Sequence, residues 1–158
     1  AFFERDGRVF RDPATYPARS VATLNTHDLP TLRGWKSGRD IQTREELGFI
    51  SAEEAGIMRA DRALEVSLAL EFAFGVPTEN EPVPSSDDEL FAALYERLML
   101  SSSGIRLVSL YDLFEEENQP NLPGTIDEYP SWAMRNTARI EDLVGKPLFA
   151  RLWIQTER

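Results

Sequence analysis

A chain of 158 residues is long enough to bury a core of its own, and its 27 acidic against 17 basic side chains leave a net charge of -10. Such a surface repels phosphate backbones and anionic bilayers, so neither nucleic acid nor membrane is expected as a partner. The absence of cysteine excludes disulfides, thiolate nucleophiles and sulfur-ligated metals, and fits a reducing, cytoplasmic setting.

No stretch approaches the roughly 18 apolar residues needed to cross a bilayer, and no signal-peptide pattern leads the chain. It opens on Ala1 and runs at once into Phe2-Phe3, which predicts a beginning inside a folded element and a place in a longer protein. Residues 5–17 carry Asp6-Gly7, Asp12-Pro13 and Tyr16-Pro17, all turn chemistry. Residues 21–25 follow as a candidate buried strand. Thr26-His27-Asp28-Leu29-Pro30 comes directly after it and holds the only histidine of the chain. A strand end giving way to a loop is where parallel α/β proteins keep their chemistry.

A Gly-rich stretch, Gly34-Trp35-Lys36-Ser37-Gly38, leads to Ser51-Ala52-Glu53-Glu54, a capping box that starts a helix. Ala55, Met58, Leu64, Leu68 and Phe72 recur at helical spacing, and Gly75 with Pro77 ends the run. Residues 78–85 form a proline-rich surface loop, not a domain boundary. Ser86 caps a second helix, with Leu90, Leu94 and Leu98 on one face. Gly104 closes it. Residues 105–111 read as the clearest strand, and a loop over 115–132 follows. Two closing helices are predicted over 138–143 and 147–156, broken at Gly145, with Pro147 in a first-turn position.

Strands separated by helices imply parallel pairing through crossovers. Two strands make no stable sheet by themselves, so the expected partner is the remainder of a larger parallel sheet or barrel. The His27-Asp28 pair is open to several readings: metal ligands, a general base with its orienter, a sugar-binding pair with a charge stabiliser, or a loop that only caps an element. A single histidine argues against a metal site, and no G-x-S-x-G elbow supports a serine triad. Asn121-Leu122-Pro123-Gly124-Thr125 follows the second strand as Thr26-His27-Asp28 follows the first, so two polar loops should open on one face. Trp35 and Trp132, in loops, are candidate sugar-stacking platforms or packing residues; Trp153, in an apolar helical run, is expected in the core.

Two motifs then become recognisable in order. Residues 20–32 (Ser-Val-Ala-Thr-Leu-Asn-Thr-His-Asp-Leu-Pro-Thr-Leu) are followed by Gly34-Trp35 and Gly38-Arg39-Asp40-Ile41. Asn121-Leu122-Pro123-Gly124-Thr125 is followed by Asp127-Glu128-Tyr129-Pro130. Together they closely resemble the C-terminal part of the bacterial 4-α-glucanotransferases, the amylomaltases or disproportionating enzymes of glycoside hydrolase family 77. The resemblance covers nearly the whole chain. It departs at Ser131-Trp132-Ala133-Met134, where many relatives carry asparagine, tryptophan and basic residues.

The resemblance implies an α/β fold, the C-terminal part of a (β/α)8 TIM barrel from the end of strand six to helix eight, with residues 1–158 one segment of a single barrel domain. It implies a retaining double displacement that moves maltodextrin segments between α-1,4-glucans, without a cofactor or metal. Asp28 would be the third catalytic carboxylate, favouring the oxocarbenium-like transition state, while His27 and Asn121 bind substrate. The nucleophile and the acid/base of the family fall outside this chain by motif. A rival reading is therefore an inactive carbohydrate-binding or assembly fragment.

Overall fold

The computed structural model describes residues 4–76 and 86–156. The readings of Phe2-Phe3, Pro77 and the loop over 78–85 lie outside the described residues. Asp6-Gly7 turns a small antiparallel hairpin, β1 (Arg5–Asp6) to β2 (Val9–Phe10). Asp12 caps the short 3-10 turn Pro13–Thr15 by accepting from the Ala14 N–H at 3.0 Å.

The two strands that position the site are short. β3 (Val21–Thr23) pairs in parallel with β4 (Ile105–Leu107), Val21 opposite Ile105 and Thr23 opposite Leu107. Parallel pairing across intervening helices is what the order of elements implied. Both strands are shorter than expected, and the expectation of a buried strand over 21–25 holds only in part. Ala22, Leu24 and Asn25 are buried, whereas Val21, Ile105 and Leu107 are about half exposed. Parallel strands are apolar because they are normally covered on both faces. Here that apolar character outruns the cover that the described residues provide.

The stretch around Gly34 is helical rather than a loop. α1 (Leu32–Ser37) is capped by Thr31, whose Oγ1 accepts from the Gly34 N–H at 3.0 Å. Gly38, at φ 77°, is the left-handed residue between α1 and α2 (Arg39–Glu46), a conformation that glycine adopts without steric cost. Gly34 itself is required by contact, since a Cβ there would collide with the Glu117 carbonyl oxygen.

α3 (Ala52–Phe74) begins at the expected capping box, both hydrogen bonds of which form between Ser51 and Glu54. Its inward face differs from the apolar spacing. Ala55, Leu68, Ala69 and Ala73 are buried, but Leu64 is exposed. Arg62 and Glu65 turn inward instead and enclose Trp35. The Arg62 guanidinium holds Asp40 through two 2.9 Å bonds, donates to the Trp35 carbonyl and lies 5.7 Å from the indole centroid. The indole N–H donates to Glu65 at 3.3 Å. Trp35 is 2% exposed, so it is a core residue and not a sugar platform.

α4 (Asp87–Met99) is the most deeply packed helix, with Leu90, Phe91, Leu94, Tyr95 and Leu98 all buried. Its acidic first turn draws Arg33 and Lys36 of α1, which pair with Asp88 and Asp87, charge placement that also suits a helix N-terminus. The chain beyond β4 departs from the expected strand over 105–111. It turns at Ser109 into a one-turn helix, α5 (Leu110–Leu113), because the Ser109 N–H is taken by the Tyr95 hydroxyl at 3.1 Å and Asp112 is drawn into the core. A 3-10 turn (Ile140–Gly145) replaces the predicted helix over 138–143, with Gly145 its last residue, and α6 (Pro147–Thr156) follows as expected. Leu148 and Leu152 of α6 join the core; Trp153 is 57% exposed and stacks on Phe149 at 5.7 Å. The expected core position of Trp153 is thereby corrected. Helical periodicity buries one stripe only, and Leu148 and Leu152 occupy it.

Candidate active site

Because β3 and β4 run parallel, the chain leaves both on the same side. The loop after β3 carries His27 and Asp28; the loop over 115–132 carries Asn121. The structure brings all three together. Asn121 Nδ2 donates to Asp28 Oδ1 at 2.6 Å, and the other carboxylate oxygen lies 3.4 Å from His27 Nε2. His27 and Asp28 remain about half exposed, so the cluster faces outward. Beside it a cleft of about 300 Å³ is bounded by Thr23, Thr26, His27, Tyr111 and Pro120.

The loop over 115–132 is braced by its own hydrogen bonds. Leu122, 1% exposed, plants its side chain in the protein and its N–H donates to Ser131 Oγ at 3.2 Å. Thr125 Oγ1 donates to the Leu122 carbonyl at 2.7 Å, and the Tyr129 hydroxyl to the Gln119 carbonyl at 2.7 Å. Ser131 thus closes the N-L-P-G-T turn with a hydroxyl. Trp132 adopts φ 63° and donates its N–H to the Pro120 carbonyl at 2.8 Å. Its indole, 65% exposed, meets the His27 ring with centroids 5.1 Å apart.

One buried residue behind these loops was not singled out in the sequence. Asp112, 4% exposed, accepts three hydrogen bonds: from the Leu32 N–H at 2.8 Å on Oδ1, and from Asn25 Nδ2 at 2.9 Å and the Tyr95 hydroxyl at 2.6 Å on Oδ2. Burial pushes its carboxyl up to about 6, against the three donors, which favour the ionised form. Burial and the neighbouring Asp112 carboxylate raise the Tyr95 phenol well above its ordinary value, so it stays a donor. The signal was present: a carboxylate inside the apolar run Leu110-Tyr111-Asp112-Leu113-Phe114 has to find buried partners.

Among the described residues no three His, Cys, Asp or Glu side chains cluster as metal ligands. No helix there is long and apolar enough to cross a membrane. What the cluster offers is a fixed carboxylate, an imidazole, an amide and an exposed aromatic ring on one face, a set suited to polyhydroxylated ligands.

Residues 1–140 match the family model described as 4-alpha-glucanotransferase, glycoside hydrolase family 77. The chain belongs to that family. A 4-alpha-glucanotransferase of Mycobacterium bovis is 33% identical over 118 residues, which cover 71% of this chain and 15% of the relative. A 4-alpha-glucanotransferase of Haemophilus influenzae is 29% identical over 143 residues, covering 85% of this chain and 20% of the relative. The crystal structure of amylomaltase from Corynebacterium glutamicum superposes with a TM-score of 0.75 at 28% identity, over 96% of this chain and 24% of that one. The chain therefore spans a fifth or less of the length of these curated relatives.

Proposed function

We propose that residues 1–158 are the C-terminal segment of one (β/α)8 barrel domain in a 4-α-glucanotransferase, with β3 as strand seven, β4 as strand eight and the rest of the barrel as their partner. The exposed apolar residues Val21, Ile105 and Leu107 support that placement, because barrel strands are covered on both faces. The reaction is the transfer of maltodextrin segments between α-1,4-glucans by retaining double displacement, in the cytoplasm. The nucleophile and acid/base belong to earlier strands.

Asp28 is the third carboxylate. A glycosyl transfer passes through an oxocarbenium-like state, and a preorganised negative group near the anomeric centre is worth most when positive charge develops there. The single observation that carries this role is the 2.6 Å bond from Asn121. It fixes Asp28 Oδ1 before any substrate arrives, and each carboxylate oxygen keeps lone pairs for sugar hydroxyls. His27, flanking the same carboxylate, binds a hydroxyl of the same ring. Asn121 acts twice, holding Asp28 and facing the sugar on the acceptor side.

The test is transfer of maltodextrin units to glucose by the full-length protein carrying this sequence, wild type against Asp28→Asn. Loss of transfer with maltodextrin binding retained supports the reading. A wild-type protein that binds maltodextrin without transferring it would establish the binding-fragment alternative.

A further inference from the structure

The loop that presents His27 and Asp28 is held at both ends by one side chain that no part of the proposed chemistry uses. Upstream, Asn25 donates to Asp112 Oδ2 at 2.9 Å; downstream, the Leu32 N–H donates to Asp112 Oδ1 at 2.8 Å. Asn25 Nδ2 also reaches the Pro30 carbonyl at 3.5 Å, and Thr31 Oγ1 donates to the Glu117 carbonyl at 3.3 Å. Within the intervening chain the backbone makes one bond to itself, Leu29 N–H to Thr26 carbonyl at 3.1 Å. The tip is exposed and the base is clamped.

Asp112 is itself oriented from the opposite side. The Tyr95 hydroxyl, from the C-terminal half of α4, donates to Oδ2 at 2.6 Å and accepts from the Ser109 N–H at 3.1 Å. The second strand's exit, the first strand's exit and the core helix thus meet at one carboxylate. A buried charge is a poor way to gain stability, because its desolvation offsets most of what its partners return. What such a hub supplies is geometry: two points of one loop are fixed relative to β4 and α4 with no freedom to slide.

We propose that Asp112 is a positioning residue for glucan transfer, setting the place of Asp28 by clamping both ends of its loop while touching no substrate. The inference rests on the transferase reading above. Misplacing a catalytic group by about 1 Å costs on the order of a hundredfold in rate, whereas weakening the one hydroxyl contact of His27 on the same loop costs about threefold in binding. The effect therefore falls on kcat and spares KM.

The experiment uses the full-length transferase with maltodextrin donor and glucose acceptor. Asp112→Asn keeps the shape and an oxygen for Leu32 but sets an NH2 against both Asn25 and Tyr95. It is expected to lower kcat at least about tenfold with KM changed by less than about threefold. Tyr95→Phe, a milder change, guards against a variant that fails to fold. It is made both in the wild type and in Asp28→Asn, with the folded fraction measured by circular dichroism. Tyr95→Phe is expected to lower kcat about fivefold in the wild type and less than about twofold when Asp28 is already Asn, because groups acting through one another are non-additive. Equal losses in both backgrounds, or wild-type kcat in a folded Tyr95→Phe enzyme, would overturn the positioning role. A wild-type protein with no transfer activity overturns the transferase reading instead, and the two failures are told apart by the wild-type assay alone.

Discussion

Asn121 Nδ2 lies 2.6 Å from Asp28 Oδ1, across 93 residues of sequence, and this bond joins the loops that follow the two parallel strands. It is charge-assisted and sits where the carboxylate is about half exposed, so it contributes about 1 kcal/mol or less in open solvent. Under the proposed function, a sugar covering the site would exclude water and strengthen the same contact. What the bond supplies in this structure is a fixed orientation of the carboxylate.

Asp28→Asn keeps the size of the side chain and removes the charge. We expect transfer by the full-length enzyme to fall at least about a hundredfold, the loss typical of a preorganised electrostatic group. Initial-rate measurement of glucose release and of chain-length redistribution checks it. Wild-type turnover in this variant would remove Asp28 from the chemistry.

Asn121→Ala releases Asp28 Oδ1 and should reduce kcat about tenfold. Asn121→Asp should be worse at neutral pH, since it sets a second carboxylate against Asp28, and should recover in part as the pH falls and the pair takes up a proton. A pH series of kcat for both variants distinguishes orientation by the amide from simple contact with substrate. Equal pH profiles would argue against the contact with Asp28.

Asp112 provides a titration to follow. Its carboxyl sits near 6 in the folded protein against an ordinary 3.8, so the folded state binds this proton more tightly than the unfolded state does. The linked stabilisation is complete below about 3.8 and is lost as pH rises through about 6, amounting to roughly 3 kcal/mol over that window. Difference infrared spectroscopy should show a protonated carboxyl band with a midpoint near 6 that is absent in Asp112→Asn. The same band persisting in the variant would assign it elsewhere.

The tryptophans should separate by burial. Trp35→Ala empties a buried site and breaks the bonds to Glu65 and the ring contact with Arg62, costing about 3–5 kcal/mol. Trp132→Ala, at an exposed ring, should change stability by less than about 1 kcal/mol while raising KM for maltodextrin through loss of the surface beside His27. Thermal unfolding together with KM for each variant tests the division. A large drop in unfolding temperature for Trp132→Ala would show a packing role instead.

Local chemistry was legible in the chain itself. Ser51 with Glu54, and Ser86 with the α4 N-terminus, cap the helices where expected, because a cap is formed by residues three positions apart. The parallel pairing of β3 and β4 followed from the alternation of strands and helices. The extent of β4 did not. An apolar run serves a buried strand and a buried helical turn equally, and the choice at Ser109 was made by Tyr95, fourteen residues upstream on another element. Likewise the stretch around Gly34 reads as loop by composition, yet Thr31 caps it and Glu117 packs over it.

The sequence by itself determined the family, through the Thr26-His27-Asp28 and Asn121-Leu122-Pro123-Gly124-Thr125 motifs, together with the helix starts and the parallel order of strands. These are properties of contiguous residues. Only the tertiary structure decided that Asn121 grips Asp28, that Asp112 clamps the loop between Asn25 and Leu32, and that Trp35 is buried while Trp153 is exposed. Each of those depends on which groups meet after the chain has folded. Hydrogen-bond satisfaction and burial are settled between elements far apart in sequence, where local periodicity carries no information.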